Sequence, residues 1–241
     1  MVLEVGPGQG ELTVPLSRKV KKVIAVEKDK ELSENLRDRF SREKITNVEV
    51  VEGDILKYIS ESGKINAFRA DKLISNIPYY LTSRLLKNVL ESEFPPKMIV
   101  LTIQKEVAER ICAAPPNMSI LSVSVQSFGH PNIIKKVPAE CFSPAPKIDS
   151  AIIKIDDISR DFFTKNGLNP ILFFQMIKTT FSQKRKILLN PLSQFIGSKE
   201  IASEALKKAS IAFNSRAQEL SLEEWISLYK NIEPIKARNR E

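Results

Sequence analysis

The sequence predicts an α/β protein: a mostly parallel sheet with helices on both faces, followed by a smaller domain made of helices alone. Three observations carry this. Short apolar runs of strand length alternate with stretches whose apolar residues recur at three- and four-residue spacing, the β-α-β rhythm of a covered parallel sheet. From about Asp156 the strand signal stops while helical spacing continues. The 241 residues also exceed what one compact core of this kind needs. Two unequal domains are expected, 1–156 and 157–241.

Taken in order, Met1-Val2-Leu3-Glu4-Val5 opens as a buried strand, and 23–26, 48–51, 73–74 and 98–103 read the same way. Between them 11–20, 30–40, 82–90 and 105–112 have helical spacing, as in Leu32, Leu36 and Phe40. After a further apolar segment at 120–128, two late strands at 133–137 and 151–155 flank a loop holding Pro138, Pro144 and Pro146. They suit an antiparallel hairpin at the sheet edge, the sixth and seventh strands. Helices are then expected at 170–181, 184–189, 199–209 and 222–231.

Hydrophobic residues make up 42% and charged residues 27%, and no run of about 18 apolar positions occurs, so neither disorder nor a membrane span describes the chain. The net charge of +8 favours a polyanionic partner. That excess divides evenly between residues 1–155 and 156–241 and so assigns the partner to neither part. Local clusters do stand out, at Arg18 to Lys22, at Lys184-Arg185-Lys186 and at Lys236, Arg238 and Arg240, although a basic run is more often a solvated face. Cys112 and Cys141 show no paired spacing, which points to a reducing compartment, to core packing and to no metal site. His130 is the only histidine and lies in a turn-like Phe128-Gly129-His130-Pro131-Asn132, a poor seat for a catalytic base. Acidic Glu4 and Glu11 among the early glycines are unlike a leader peptide, and a cytoplasmic protein is expected.

Glu4-Val5-Gly6-Pro7-Gly8-Gln9-Gly10 follows the first strand and opens the first helix, where glycines let backbone approach a nucleotide-like ligand. Alone, such a loop is equally a tight strand-to-helix turn. Two acids sharpen it: Glu27 at the end of the second strand can accept ribose hydroxyls, and Asp54 after the third can meet an adenine amino group. Both NAD and S-adenosyl-L-methionine contain adenosine. The spacing is GxGxG rather than GxGxxG, and Glu11 directly behind it would repel a pyrophosphate, so the sulfonium cofactor is favoured.

Asn76-Ile77-Pro78-Tyr79 follows the fourth strand over the same crevice. The exocyclic amine of adenine is a poor nucleophile because its lone pair is delocalised into the ring. The Asn76 side-chain oxygen and the Ile77 carbonyl could accept its two hydrogens and draw the nitrogen toward a pyramidal geometry. Pro78 would fix the backbone, and Tyr79 offers a face for a base lifted from its stack. In isolation these residues are also a plain turn.

With these motifs in view, the chain resembles the ribosomal RNA adenine N6-dimethyltransferases over nearly its whole length. The resemblance rests on Val2 to Gly10, Glu27, Gly53-Asp54, Asn76 to Tyr79, Gln104-Lys105-Glu106-Val107-Ala108-Glu109-Arg110, Phe142-Ser143-Pro144-Ala145-Pro146-Lys147-Ile148-Asp149-Ser150 and Phe181-Ser182-Gln183-Lys184-Arg185-Lys186. It implies a class I, Rossmann-like methyltransferase domain with a seven-stranded sheet, joined to a small all-α C-terminal domain. Gly6, Gly8 and Gly10 would contact S-adenosyl-L-methionine, Glu27 its ribose, Asp54 its adenine, and Asn76 both the target amine and the cofactor's edge. Phe142 would face Tyr79 across the extruded base. Lys105, Lys147, Lys184, Arg185 and Lys186 would meet the RNA backbone, a sequence-independent role.

The same resemblance favours small-subunit rRNA in ribosome maturation over the large-subunit enzymes of macrolide resistance, and a monomer acting on immature subunits. A non-catalytic rRNA-binding assembly factor is the alternative from another class, and NAD-dependent oxidoreduction has only the glycine loop in its favour. Family members also carry a segment ahead of the first strand, with a Gln-Asn-Phe-Leu stretch that helps hold the methionine end of the cofactor. The sequence given starts at the strand.

Overall fold

The structure, a computed structural model, describes residues 1–59, 70–183 and 186–238, with 233–238 described by backbone alone. Five parallel strands, β1 (Val2–Val5), β2 (Val23–Glu27), β3 (Val48–Glu52), β4 (Lys72–Asn76) and β5 (Met98–Gln104), join an antiparallel pair, β6 (His130–Val137) and β7 (Ser150–Asp156). Their order is β3-β2-β1-β4-β5-β7-β6. Every residue of β1 and β2 is buried, as strands covered on both faces must be. At the edge, β6 is largely exposed and carries Pro131, Lys135, Lys136 and a register shift between Ile133 and Lys135, features that discourage edge-to-edge pairing.

Helices α1 (Thr13–Ser17), α2 (Lys30–Arg42), α3 (Thr82–Leu90) and α4 (Lys105–Ile111) follow the strands. Asp29 caps α2 by accepting from Leu32 N–H at 3.0 Å, and Leu36 and Phe40 on its inner face pack with Val14. The chain divides into two compact units, Met1–Glu109 with Gly129–Ser159, and Arg110–Phe128 with Arg160–Glu241. The first contains the sheet. The second is helical, with α5 (Ile120–Gln126), α6 (Asp161–Asn166), α7 (Pro170–Phe181), α8 (Leu189–Ile196), α9 (Lys199–Lys208) and α10 (Leu222–Arg238). Its core is aromatic: Phe163 and Phe173 have ring centroids 5.9 Å apart, as do Phe181 and Trp225.

Several details depart from expectation. Of the helix expected at 184–189, residues 186–188 are not helical. Lys186 lies outside any helix and α8 begins at Leu189, because Pro191 falls in its first turn, where a missing N–H costs nothing. Lys184 and Arg185 lie outside the described residues. His130 does not sit in a turn but opens β6, paired with Asp156. Cys141 is exposed rather than packed in a core, and Cys112 is half-buried.

Candidate active site

The sheet reverses its direction of growth at β1, which has β2 on one side and β4 on the other, so their carboxyl ends frame a crevice. Backbone pairing of β1 with β4 runs through Val2 with Lys72 and Leu3 with Leu73. Beyond it the buried Ser75 hydroxyl takes over, accepting from Val5 N–H at 3.3 Å and donating to the Val5 carbonyl.

The glycine loop leaves β1 with Gly6, Gly8 and Gly10 all at positive φ. A Cβ at Gly8 would meet nothing within 4 Å, which leaves the backbone open to a ligand. Gly10 serves a different purpose. Its φ is +89°, and a Cβ there would lie 3.0 Å from Leu36 Cδ2, so this glycine lets α2 pack under the loop. Gly10→Ala should cost about 2 kcal/mol through strain and overpacking and should shift the urea unfolding midpoint accordingly.

Glu27 ends β2 and is 8% exposed. Its Oε2 accepts from Gly8 N–H at 3.2 Å, and its Oε1 from Lys28 N–H at 2.8 Å and Asp29 N–H at 3.0 Å. The carboxylate thus ties the glycine loop to β2, a task that sequence reasoning did not give it. Gly53 N–H donates to the Glu27 carbonyl at 2.8 Å, which brings Asp54 alongside. The Leu56 N–H, 2.9 Å from Asp54 Oδ1, and the Lys28 ammonium, 3.4 Å from Oδ2, hold this carboxyl below its ordinary value.

A pocket of about 190 Å³ is walled by Gly6, Glu27, Gly53, Asp54 and Pro78. Tyr80, Leu81 and Arg84 also line it and were not singled out in the sequence. Tyr80 and Leu81 come from a 3₁₀ turn, Tyr79–Leu81, and Arg84 from the first turn of α3, which follows it directly. Gly8 lines a separate groove of about 540 Å³ with Gln9, Asn35 and Arg39. There Arg39 Nη1 donates to the Gln9 carbonyl at 2.6 Å and lies 3.2 Å from Glu11 Oε1. The charge of Glu11 is therefore partly offset, and its repulsion of a pyrophosphate is a weaker discriminator than the sequence implies.

Asn76 is the last residue of β4 and exposed, Ile77 is buried, and Pro78 is exposed with ψ of 132°. Leu81 N–H donates to the Pro78 carbonyl at 3.0 Å and the Thr82 hydroxyl to that of Tyr79 at 3.0 Å, so the turn is closed by its own hydrogen bonds. The Tyr79 hydroxyl lies 2.6 Å from Ser150 Oγ. Phe142, half-buried, follows the 3₁₀ turn Ala139–Cys141 in the loop from β6 to β7. Asn76, Tyr79 and Phe142 are not part of the pocket wall itself. Lys147 and Lys186 are exposed, and Lys105 Nζ is 3.9 Å from Asp149. Among the described residues, no group of His, Cys, Asp and Glu could hold a metal ion, and no helix is long and apolar enough to cross a membrane.

This sheet order, with its glycine loop after β1 and acids after β2 and β3, is that of a Rossmann-like methyltransferase. A family model described as ribosomal RNA adenine dimethylase matches residues 1–233, and the chain belongs to that family. Ribosomal RNA small subunit methyltransferase A of Fusobacterium nucleatum is 38% identical over 96% of this chain and 86% of its own length. The protein of that name from Dehalococcoides mccartyi strain CBDB1 is 38% identical over 94% of this chain and 77% of its own. Among solved structures, a dimethyladenosine transferase from Plasmodium falciparum superposes with a TM-score of 0.82 at 26% identity, covering 98% of this chain and 90% of that one. The 23S rRNA methyltransferase ErmE, at 24% identity and a TM-score of 0.71 over 96% of this chain and 90% of its own, shares the fold.

Proposed function

We propose that the chain dimethylates N6 of adjacent adenosines in small-subunit rRNA during ribosome maturation, using S-adenosyl-L-methionine, as a cytoplasmic monomer. The observation that carries this reading is the placement of Asn76-Ile77-Pro78-Tyr79 at the end of the strand next to the glycine loop, beside a pocket walled by Gly6, Glu27 and Asp54. The named relatives favour the small-subunit substrate.

The residues present fit the cofactor. Gly8 leaves the loop backbone open, Glu27 Oε2, which accepts a single N–H, retains a lone pair for a ribose hydroxyl, and Asp54 is held ionised to accept from an adenine amine. The cofactor would supply a methyl group on a sulfonium, already electrophilic. The chain's own task is then to aim the amine. Asn76 Oδ1 and the Ile77 carbonyl accept the two N6 hydrogens before the first transfer, and one of them accepts the single hydrogen left before the second; Pro78 and the 3₁₀ turn hold that backbone still. Tyr79 and Phe142 stack on the extruded base and replace part of the stacking it loses. When N6 takes the methyl, the bonding pair stays on the departing sulfur, and the N6 cation so formed would be acidic enough to release its proton to solvent, so no histidine is required. Lys105, Lys147, Lys184, Arg185 and Lys186 contact phosphates, which makes binding salt-sensitive.

The test is mass spectrometry of rRNA after incubating immature small subunits with the protein and S-adenosyl-L-methionine. Dimethyladenosine at two neighbouring positions of the small-subunit RNA is the expected result. Methylation confined to large-subunit RNA, or none despite calorimetric cofactor binding, overturns the reading.

A further inference from the structure

The Tyr79 ring is held at both ends. Its backbone is fixed in the 3₁₀ turn by the Thr82 hydroxyl, and its own hydroxyl reaches across the strand ends to Ser150 Oγ, 2.6 Å away and 71 residues on in sequence. Ser150 is a firm anchor. It opens β7 between β5 and β6, opposite Gln104 on one side and Val137 on the other, and it is fully buried. A hydroxyl on a doubly paired strand moves less than one on a loop. The neighbouring residue extends the arrangement toward the second aromatic. Asp149 Oδ1 accepts from Ala139 N–H at 3.2 Å, at the start of the 3₁₀ turn that leads into Phe142. The Asp149 carbonyl accepts from Lys105 N–H at 3.0 Å, which ties the same dipeptide to the start of α4.

We infer that Ser150 is the positioning residue that fixes the Tyr79 ring, and that Asp149-Ser150 sets both stacking faces from one point of the sheet. This rests on the reading above, in which Tyr79 and Phe142 hold the target base. A half-buried tyrosine with its hydroxyl untethered can pivot about its side-chain torsions. A stacked base would then lose its alignment with the Asn76 and Ile77 acceptors, and a misplacement of about 1 Å costs up to about a hundredfold in rate. The contact therefore affects the methyl-transfer step rather than cofactor affinity.

The test measures single-turnover methylation and cofactor affinity in Ser150→Ala, Tyr79→Phe, their double variant, Ser150→Thr and Tyr79→Ala. Ser150→Ala and Tyr79→Phe should each slow transfer about tenfold with cofactor affinity unchanged, a partial misplacement of the base. The double variant should be no slower than either single change, because both break the same hydrogen bond. Ser150→Thr, which keeps the hydroxyl, should restore most of the rate. Wild-type rates in the two single variants, or losses that multiply in the double, overturn the inference. If Ser150→Ala does not fold, as judged by circular dichroism, Tyr79→Phe decides alone. Tyr79→Ala separates the two levels: a wild-type rate there defeats the stacking reading, whereas its loss beside an unimpaired Tyr79→Phe defeats only the anchoring role of Ser150.

Discussion

Asn76→Ala should lower the rate of methyl transfer by about 10²- to 10³-fold, the usual cost of removing one preorganised polar group from a reacting centre. Asn76 stands exposed at the end of β4, where a substitution opens no cavity, so the thermal midpoint should hold. Cofactor affinity should change far less than rate, since Glu27 and Asp54 remain in the pocket wall. Asn76→Asp makes the argument specific. The carboxylate keeps an acceptor for the amine hydrogens, so it should retain more activity than alanine does. Equal rates for the two variants would show that acceptance at this position is not what activates the amine. Labelling left intact by Asn76→Ala would remove the residue from the chemistry altogether.

The second large effect is on stability. Glu4 lies in β1 just before the glycine loop, 1% exposed, and its Oε2 and the neighbouring Thr13 Oγ1 have no hydrogen-bond partner among the described residues. Burial pushes its carboxyl up from 4.5 to about 7. The folded protein therefore binds this proton more tightly than the unfolded chain does. Its stabilising effect is complete below about pH 4.5 and is lost as pH rises through 7. A shift of this size corresponds to a loss on the order of 3 kcal/mol by pH 8. Glu4→Gln, which needs no proton, should unfold at a higher urea concentration than the wild type at pH 8 and at nearly the same one at pH 5. Parallel pH profiles for the two proteins would place the ionisation elsewhere.

The sheet was legible in the sequence where burial is complete. In β1 and β2 every position is apolar or buried, which leaves a strand as the short solution, and the helices of α3 and α7 could be bounded to the residue. Short or capless elements were not legible. The six residues of α6 are too few to show a helical period, and Arg160 before them makes no side-chain cap; only Gly167, left-handed at its end, signals a helix. His130-Pro131-Asn132 has turn residues, yet on the outermost strand a proline gives up no ladder partner, so β6 runs through it. The glycines, the acids and the Asn-Ile-Pro-Tyr run could be located because each lies at, or just after, the end of a strand. The roles of Tyr80 and Arg84 could not, since they depend on where a three-residue turn delivers the next helix. Nor could the three N–H groups that Glu27 accepts, because one of them belongs to a residue brought back by the fold.

Ser75 gives the crevice an adjustable width. In most of a sheet the distance between neighbouring strands is dictated by backbone hydrogen bonds and is indifferent to which side chains are present. Between β1 and β4 that regularity ends at Leu3 and Leu73, and the last link before the glycine loop and Asn76 diverge is one hydroxyl on Val5. A dimension that is a constant of the architecture elsewhere is a heritable variable here, open to change by one codon. A substitution at this buried residue can therefore change how far the ends of the two strands stand apart.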